Sequence, residues 1–337
     1  MSPVPRTRVA VVGAGAIGGL FAGGIGQRCG GEAELSVLAR GATLDALRRE
    51  GLRLEGPSPA GAIVLPVRAS DRPGELGLQD LVIVAVKGPA LAAVAPAVAA
   101  LCGPDTRVLV AMNGVPWWFF DGLGGRGDGL RLASVDPGDT IRAALPTRRV
   151  IGCVVHAAAT VPGPGVVRHV MGRGLIVGEP GGGRSARVDA VAALLGRAGF
   201  EVTVSERIQR DIWFKLWGNL TMNPVSALTG ATADRILDDP LVRGFVSAVM
   251  REAQDIGADI GLPIEQTPEQ RHEVTRKLGA FKTSMLQDLE AGRPLEIDAL
   301  VGAVREIGQH LGRATPNLDA LLGLVTLLAR SRGLRPD

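Results

Sequence analysis

From Arg8 to about Glu206 the sequence alternates short β-rich runs with Ala/Leu-rich helical stretches, and beyond Glu206 the strand signals stop. The β-rich runs are RVAVVG (8–13), LSVLAR (35–40), LVIVAVK (81–87), RVLVAMN (107–113), RVIGCVVHAA (149–158), VVRHV (166–170), LIVGE (175–179) and EVTVSE (201–206). Helical stretches fall between them at 16–28, 43–50, 89–101 and 185–199. The first, third and fourth runs are apolar almost throughout, as strands buried on both faces of a parallel sheet are. Such alternation predicts a doubly wound α/β domain. After Glu206 the pattern predicts helices at about 207–222, 240–260, 265–291, 296–312 and 317–332, with breaks at Pro224, Pro240, Pro263, Pro268, Pro294 and Pro316. The expected division is therefore an α/β domain over 1–206 and an all-helical domain over 207–337. The Gly- and Asp-rich stretch 122–139 reads as a surface excursion. The apolar final helices can bury either in their own domain core or against a second copy in a homodimer.

Composition narrows the chemistry. With 337 residues, 46% hydrophobic and 21% charged, the chain has the makings of two ordinary cores. It contains no tyrosine, which excludes a reductase that protonates a carbonyl with a phenol, and only four of its 37 basic residues are lysines. Seven Phe and four Trp show no spacing for stacking bases, and the net charge of +3 includes no basic run, so nucleic acid and a polybasic membrane anchor are not expected partners. Cys29, Cys102 and Cys153 stand far apart, with no zinc-ligand spacing and no disulfide framework. Met1 to Arg8 lacks a signal-peptide pattern, and no segment approaches the ~18 uninterrupted apolar residues of a membrane span. The expectation is a soluble, cytoplasmic protein without a metal.

Gly13-Ala14-Gly15-Ala16-Ile17-Gly18 is GxGxxG, directly after an apolar strand and opening a helix whose buried face is marked by Ile17, Leu20, Phe21 and Ile25. The first glycine allows a tight turn, the second lets backbone approach a pyrophosphate, and the third lets the helix pack closely on the sheet. A chain with 47 glycines can yield these letters by chance, but the strand and helix around them point to a Rossmann-type dinucleotide site at Gly13, Gly15, Ala16, Ile17 and Gly18. The second strand ends Leu38-Ala39-Arg40, where NAD-binding folds usually carry an acid for the ribose diol. A guanidinium matches a 2′-phosphate instead, so the reading is NADP(H), against the alternative of a solvated strand-end arginine. Lys87 closes the third buried run and Asn113-Gly114 the fourth, at the sheet edge where open α/β sheets bind ligands. Each has an equally simple structural explanation, a snorkelling lysine and a chain turn.

In the helical half, Lys215, Asn219 and Asn223 are spaced i, i+4, i+8 within WFKLWGNLTMNP (213–224). At 100° per residue they form one stripe roughly 80° wide and ~12 Å long. Polar groups on an otherwise apolar helix are costly unless they face a ligand or each other. A lysine walled by Trp213, Phe214 and Trp217 is expected to fall below its ordinary pKa of about 10.4 and to serve as proton donor to a carbonyl oxygen while hydride arrives at carbon. Ser284 is positioned on a helix to hydrogen-bond a carboxylate. Glu296 could pair with Lys215, although spacing alone favours an ordinary first-turn acid.

These residues resemble the ketopantoate reductase family (2-dehydropantoate 2-reductases), within the 6-phosphogluconate dehydrogenase-like superfamily. The resemblance runs from Arg8 to about Leu328 through GAGAIG (13–18), Arg40, Lys87, Asn113-Gly114, His156-Ala157-Ala158, the K-x3-N-x3-N-P run at 215–224, SMLQD (284–288) and Glu296-Ile297-Asp298. It implies NADPH-dependent reduction of an α-keto acid, most directly ketopantoate to pantoate in pantothenate and coenzyme A biosynthesis. It further implies Lys215 as general acid, Glu296 at the reacting centre, and Asn219, Asn223 and Ser284 on the substrate, with Lys87 and Asn113 close to the cofactor. Three departures bear on the pocket: the bulky run Val115–Phe120 beside the expected nicotinamide site, Phe281 where better-known members carry an asparagine three residues before the serine, and a long loop around 122–146. Two other readings compete. A 3-hydroxyacid dehydrogenase of the 6-phosphogluconate dehydrogenase type also uses Lys-x3-Asn, but its Ser-Gly-Gly segment is not found near 120–125 or 150–160. A non-catalytic NADPH sensor would have no need of the proton donor that Lys215, Asn219 and Glu296 supply.

Overall fold

The computed structural model describes residues 6–56 and 61–335. The leaderless start expected at Met1–Arg8 falls mostly outside the described residues. Two compact units emerge, one of Met1–Met112 with Thr140–Ile208 and one of Asn113–Asp139 with Gln209–Asp337.

The first unit contains, in chain order, β1 (Thr7–Val12), α1 (Ala16–Arg28), β2 (Ala33–Leu38), α2 (Gly41–Glu50), β3 (Leu52–Glu55), β4 (Ile63–Leu65), β5 (Arg68–Ser70), α3 (Pro73–Leu76), β6 (Gln79–Val84), α4 (Gly88–Ala100), β7 (Cys102–Val110), α5 (Thr140–Ala144), β8 (Val150–Gly163), β9 (Val166–Gly178), α6 (Ala186–Arg197) and β10 (Glu201–Val204). The sheet runs β4-β3-β9-β8-β7-β6-β1-β2-β5, with β10 beside β9. Its centre, from β8 through β7, β6, β1 and β2 to β5, is parallel, and β8 and β9 form a long antiparallel pair. Val9, Val11, Ile83 and Leu109 are wholly buried, as expected of strands covered on both faces. The chain moves outward from β1 in one direction to β2 and β5, and in the other to β6 and β7. The switch point of this doubly wound sheet therefore lies between β1 and β6. The runs 166–170 and 175–179 are one strand, β9, and the short strands β3, β4 and β5 carry no run long enough to be read from the sequence.

The second unit is helical: α7 (Ile208–Thr229), α8 (Ala233–Asp238), α9 (Pro240–Asp259), α10 (Pro268–Arg276), α11 (Ser284–Glu290), a π-turn at Asp298–Gly302, α12 (Ala303–His310) and α13 (Pro316–Ser331). Two expectations are corrected. Helix α7 runs through Pro224 instead of breaking there, because buried packing on both sides of the proline (Leu220, Met222, Val225) outweighs the roughly 3 kcal/mol that a mid-helix proline costs. The single helix expected over 265–291 is two, since Gly279 turns the chain at φ +65° and the Thr283 hydroxyl caps α11 by accepting the Leu286 N–H at 3.3 Å. Thr267 and Gln270 form a capping box at the start of α10. On α13, Leu318, Leu321 and Val325 enter the core, while Leu324 and Leu327 are exposed.

The stretch 113–139 packs with the helices, not as an excursion of the α/β unit. Val115, Trp117, Trp118, Phe119 and Phe120 are buried, Phe119 meeting Phe120 edge-on at 5.0 Å and Trp213 at 6.1 Å. The Glu306 carboxylate on α12 accepts the N–H groups of Ala133 and Ser134 at 2.7 and 2.9 Å, tying the stretch down. The stretch 113–139 is thus core and strap of the helical unit.

Candidate active site

In the first unit, the three glycines of the turn do different work. Gly13 has φ +92°, and a Cβ there would lie 2.6 Å from the Val86 side chain, so the β1 end could not approach β6 with any other residue. A Cβ on Gly18 would lie 1.9 Å from the Gly13 carbonyl oxygen, which fixes how closely α1 packs on the turn. Gly15, the residue before α1, has no atom within 4 Å of its would-be Cβ. Open space at that glycine, ahead of the unpaired N–H groups of Ala16 and Ile17 in the first helical turn, is a cradle that fits a pyrophosphate. Arg40 is exposed two residues beyond β2, at the start of α2, with no ion pair among the described residues. Lys87 does not close a strand as expected: β6 ends at Val84, and Lys87 takes the N-cap position of α4.

In the second unit, three side chains from distant parts of the sequence meet. The Lys215 ammonium donates to Asn113 Oδ1 at 2.9 Å, and Asn113 Nδ2 donates to Glu296 Oε2 at 3.3 Å. One amide therefore joins the lysine on α7 to a glutamate that is 8% exposed. The turn that aims Asn113 is clamped from behind. Val115 N–H donates to the Ala299 carbonyl at 2.9 Å, within the π-turn that follows Glu296. Gly114, at φ +78°, lies so close that a Cβ would stand 2.3 Å from the Ala299 oxygen. Widened π-turns redirect carbonyls away from the helix ladder, which is one reason they recur at functional sites. Further along the α7 stripe, Asn223 is buried, and its amide reaches the exposed Ser284 hydroxyl at 3.5 Å. Asn219, between them, is half-buried.

The aromatic wall expected around Lys215 is not there. Trp213 and Trp217 lie two residues either side of Lys215, about 200° round the helix, and both are buried. The Trp217 indole donates to the Met250 carbonyl at 2.8 Å, and Trp213 packs its indole against Gly257. Phe214 is 38% exposed. The run Val115–Phe120 is buried in the helical unit. Sequence reasoning missed the link from Asn113 to both Lys215 and Glu296, the Gly114–Ala299 clamp, and Arg271, whose guanidinium carbon stands 5.0 Å over the Phe214 ring. No local pattern marks any of them.

Comparison with known proteins finds relatives along most of the chain. A family model described as "Ketopantoate reductase PanE/ApbA" matches residues 9–182, and its companion, "Ketopantoate reductase PanE/ApbA C terminal", matches 207–329. The 2-dehydropantoate 2-reductase of Mesorhizobium japonicum is 44% identical over 97% of this chain and 99% of its own, and that of Halobacterium salinarum is 30% identical over 96% and 99%. A crystal structure from Ralstonia solanacearum, presented as a candidate ketopantoate reductase, is 59% identical and superposes with a TM-score of 0.93, covering 98% of this chain and 100% of that one. These relatives place the chain among the NAD(P)-dependent oxidoreductases that act on CH–OH groups. The chain belongs to the ketopantoate reductase family.

Proposed function

We propose that the protein catalyses the NADPH-dependent reduction of an α-keto acid, 2-dehydropantoate, to the 2-hydroxy acid pantoate. The observation that most supports this reading is the single amide of Asn113 bonded to both Lys215 and Glu296. The bound dinucleotide supplies hydride to the carbonyl carbon. Lys215 gives the carbonyl oxygen its proton, and its charge steadies the developing alkoxide. Asn113 holds the ammonium through Oδ1, so the lysine does not have to be ordered at the moment of reaction. Through its Nδ2 the same amide holds the carboxylate of Glu296 beside the reacting centre. Asn219, Asn223 and Ser284 bind the substrate along the rest of the stripe.

Gly13, Gly15, Ala16, Ile17 and Gly18 would hold the pyrophosphate, and Lys87 and Asn113 are the further residues assigned to the cofactor. Exposed Arg40 would meet the 2′-phosphate and so favour NADP(H) over NAD(H). The reading carries with it a cytoplasmic location, a place in pantothenate and coenzyme A biosynthesis, and assembly as a homodimer for which α13 offers exposed Leu324 and Leu327. Among the described residues no helix is long and apolar enough to cross a membrane.

Purified protein mixed with NADPH and ketopantoate should consume NADPH and form pantoate. A panel of branched and bulky α-keto acids in the same assay fixes the substrate. Faster turnover of a bulkier acid would reassign the substrate within the class, and no turnover of any α-keto acid would overturn the reading.

A further inference from the structure

Arg293 lies in the short connection between α11 and the π-turn, three residues before Glu296, and the proposed chemistry does not use it. Its Nε donates to Asp288 Oδ1 at 3.0 Å, and its backbone N–H donates to the Asp288 carbonyl at 2.9 Å. Both bonds end on one residue, so they fix the Arg293 side chain and backbone together. Asp288 is only 4% exposed, whereas the Arg293 side chain is half-exposed. A buried carboxylate is costly unless it is paired, and in the last turn of a helix the dipole disfavours an acid. Neither burial nor the end of α11 favours Asp288; the arginine that folds back onto it does.

The connection carries that anchor to Glu296. Gly292, at φ +63°, turns the chain after α11. Pro294 fixes its own φ and disfavours helical backbone at Arg293 before it. Leu295 and Ile297, on either side of Glu296, are buried. A fixed Arg293 therefore fixes the carboxylate that Asn113 Nδ2 reaches at 3.3 Å. At the other end of α11, Ser284 stands four residues before Asp288 and shares its face, and the Asn223 amide on α7 reaches that hydroxyl at 3.5 Å. One ion pair thus ties Glu296 to the helix that carries Ser284. We propose that Arg293, anchored on Asp288, is a positioning residue that holds Glu296 in register with Asn113 and Ser284. This assignment rests on the reading of Glu296 as a residue of the reacting centre.

The test is a double-mutant cycle on ketopantoate reduction at saturating NADPH, with wild type, Arg293→Met, Glu296→Gln and the variant carrying both. Thermal unfolding shows that each is folded, and Arg293→Gln replaces Arg293→Met if the latter is not. Misplacing Glu296 should lower kcat about 10- to 100-fold in Arg293→Met, with KM for NADPH changed much less. In the Glu296→Gln background the same substitution should change kcat less than about 2-fold, because the group it positions is already gone. Arg293→Lys, which keeps the charge, should recover part of the loss. An undiminished kcat in Arg293→Met, or equal losses in both backgrounds, would overturn the assignment and leave the ion pair as a purely structural contact. If wild type reduces no keto acid, the catalytic reading fails on its own. In that case, or if Glu296→Gln leaves no rate to compare, crystal structures of wild type and Arg293→Met decide. A Glu296 carboxylate displaced from Asn113 in the variant supports the positioning role, and one that keeps its hydrogen bond overturns it.

Discussion

Gly114→Ala tests whether the turn behind Asn113 is a clamp. Three costs add at that position. The backbone sits at φ +78°, where a Cβ costs about 1–2 kcal/mol. The new methyl would stand 2.3 Å from the Ala299 oxygen and 2.5 Å from its carbon, so the two segments must separate by at least about 0.7 Å. Separation weakens the 2.9 Å bond from Val115 N–H to that oxygen, and because Val115 is fully buried the orphaned donor adds about 1–3 kcal/mol. The expected destabilisation is roughly 2–5 kcal/mol. Gly230→Ala is the internal control, since it has φ +69° but no atom within 4 Å of the new Cβ. It should cost only the backbone strain of about 1 kcal/mol. Thermal unfolding measures the two variants side by side, and turnover separates strain from function. A displacement of this size at Asn113 should lower kcat about 10²-fold in Gly114→Ala and leave Gly230→Ala near wild type. If Gly114→Ala matches Gly230→Ala in both assays, the clamp does not set the position of Asn113.

Two further outcomes are expected. Arg40→Ala should lower kcat/KM for NADPH about 10- to 100-fold while changing NADH little; an unaltered preference would remove Arg40 from the 2′-phosphate. His272 is buried with Nε2 2.8 Å from the Ser247 hydroxyl, and burial pushes its pKa below the ordinary value of about 6.5. The unfolded chain then binds the extra proton, so this contribution to stability is complete above about pH 6.5 and is lost as pH falls towards the folded pKa. Thermal midpoints measured across that range should slope less in His272→Gln than in wild type, and parallel slopes would contradict the assignment.

What the sequence made legible follows from the range of the interactions concerned. The glycine turn is local: β1, Gly13, Gly15 and α1 lie within 22 consecutive residues, and strand, turn and helix can be read together. The i, i+4 spacing of Lys215, Asn219 and Asn223 is equally local, and it placed them on one face of α7. The partner of Lys215 was not legible, because Asn113 lies 102 residues away and joins a glutamate 183 residues further from itself. Only tertiary packing brings them together. Asn113-Gly114 reads as a strand end, and nothing in its letters announces Ala299. The run Val115–Phe120 reads in sequence only as apolar bulk, and tertiary packing is what buries it in the helical unit. The mistaken lysine wall came from counting neighbours along the chain, when residues two apart on a helix point in nearly opposite directions. Strands β3, β4 and β5 owe their existence to pairing with β9, β3 and β2, which no three- or four-residue run can signal.

The central claim is that Lys215 delivers the proton, and single-turnover oxidation of NADPH by ketopantoate in Lys215→Ala tests it most directly. Binding of NADPH should persist, since the glycine turn is untouched, while the rate of the chemical step should fall about 10²- to 10⁴-fold, the range that a positioned general acid supplies. A chemical step within a few-fold of wild type in that variant would contradict the account.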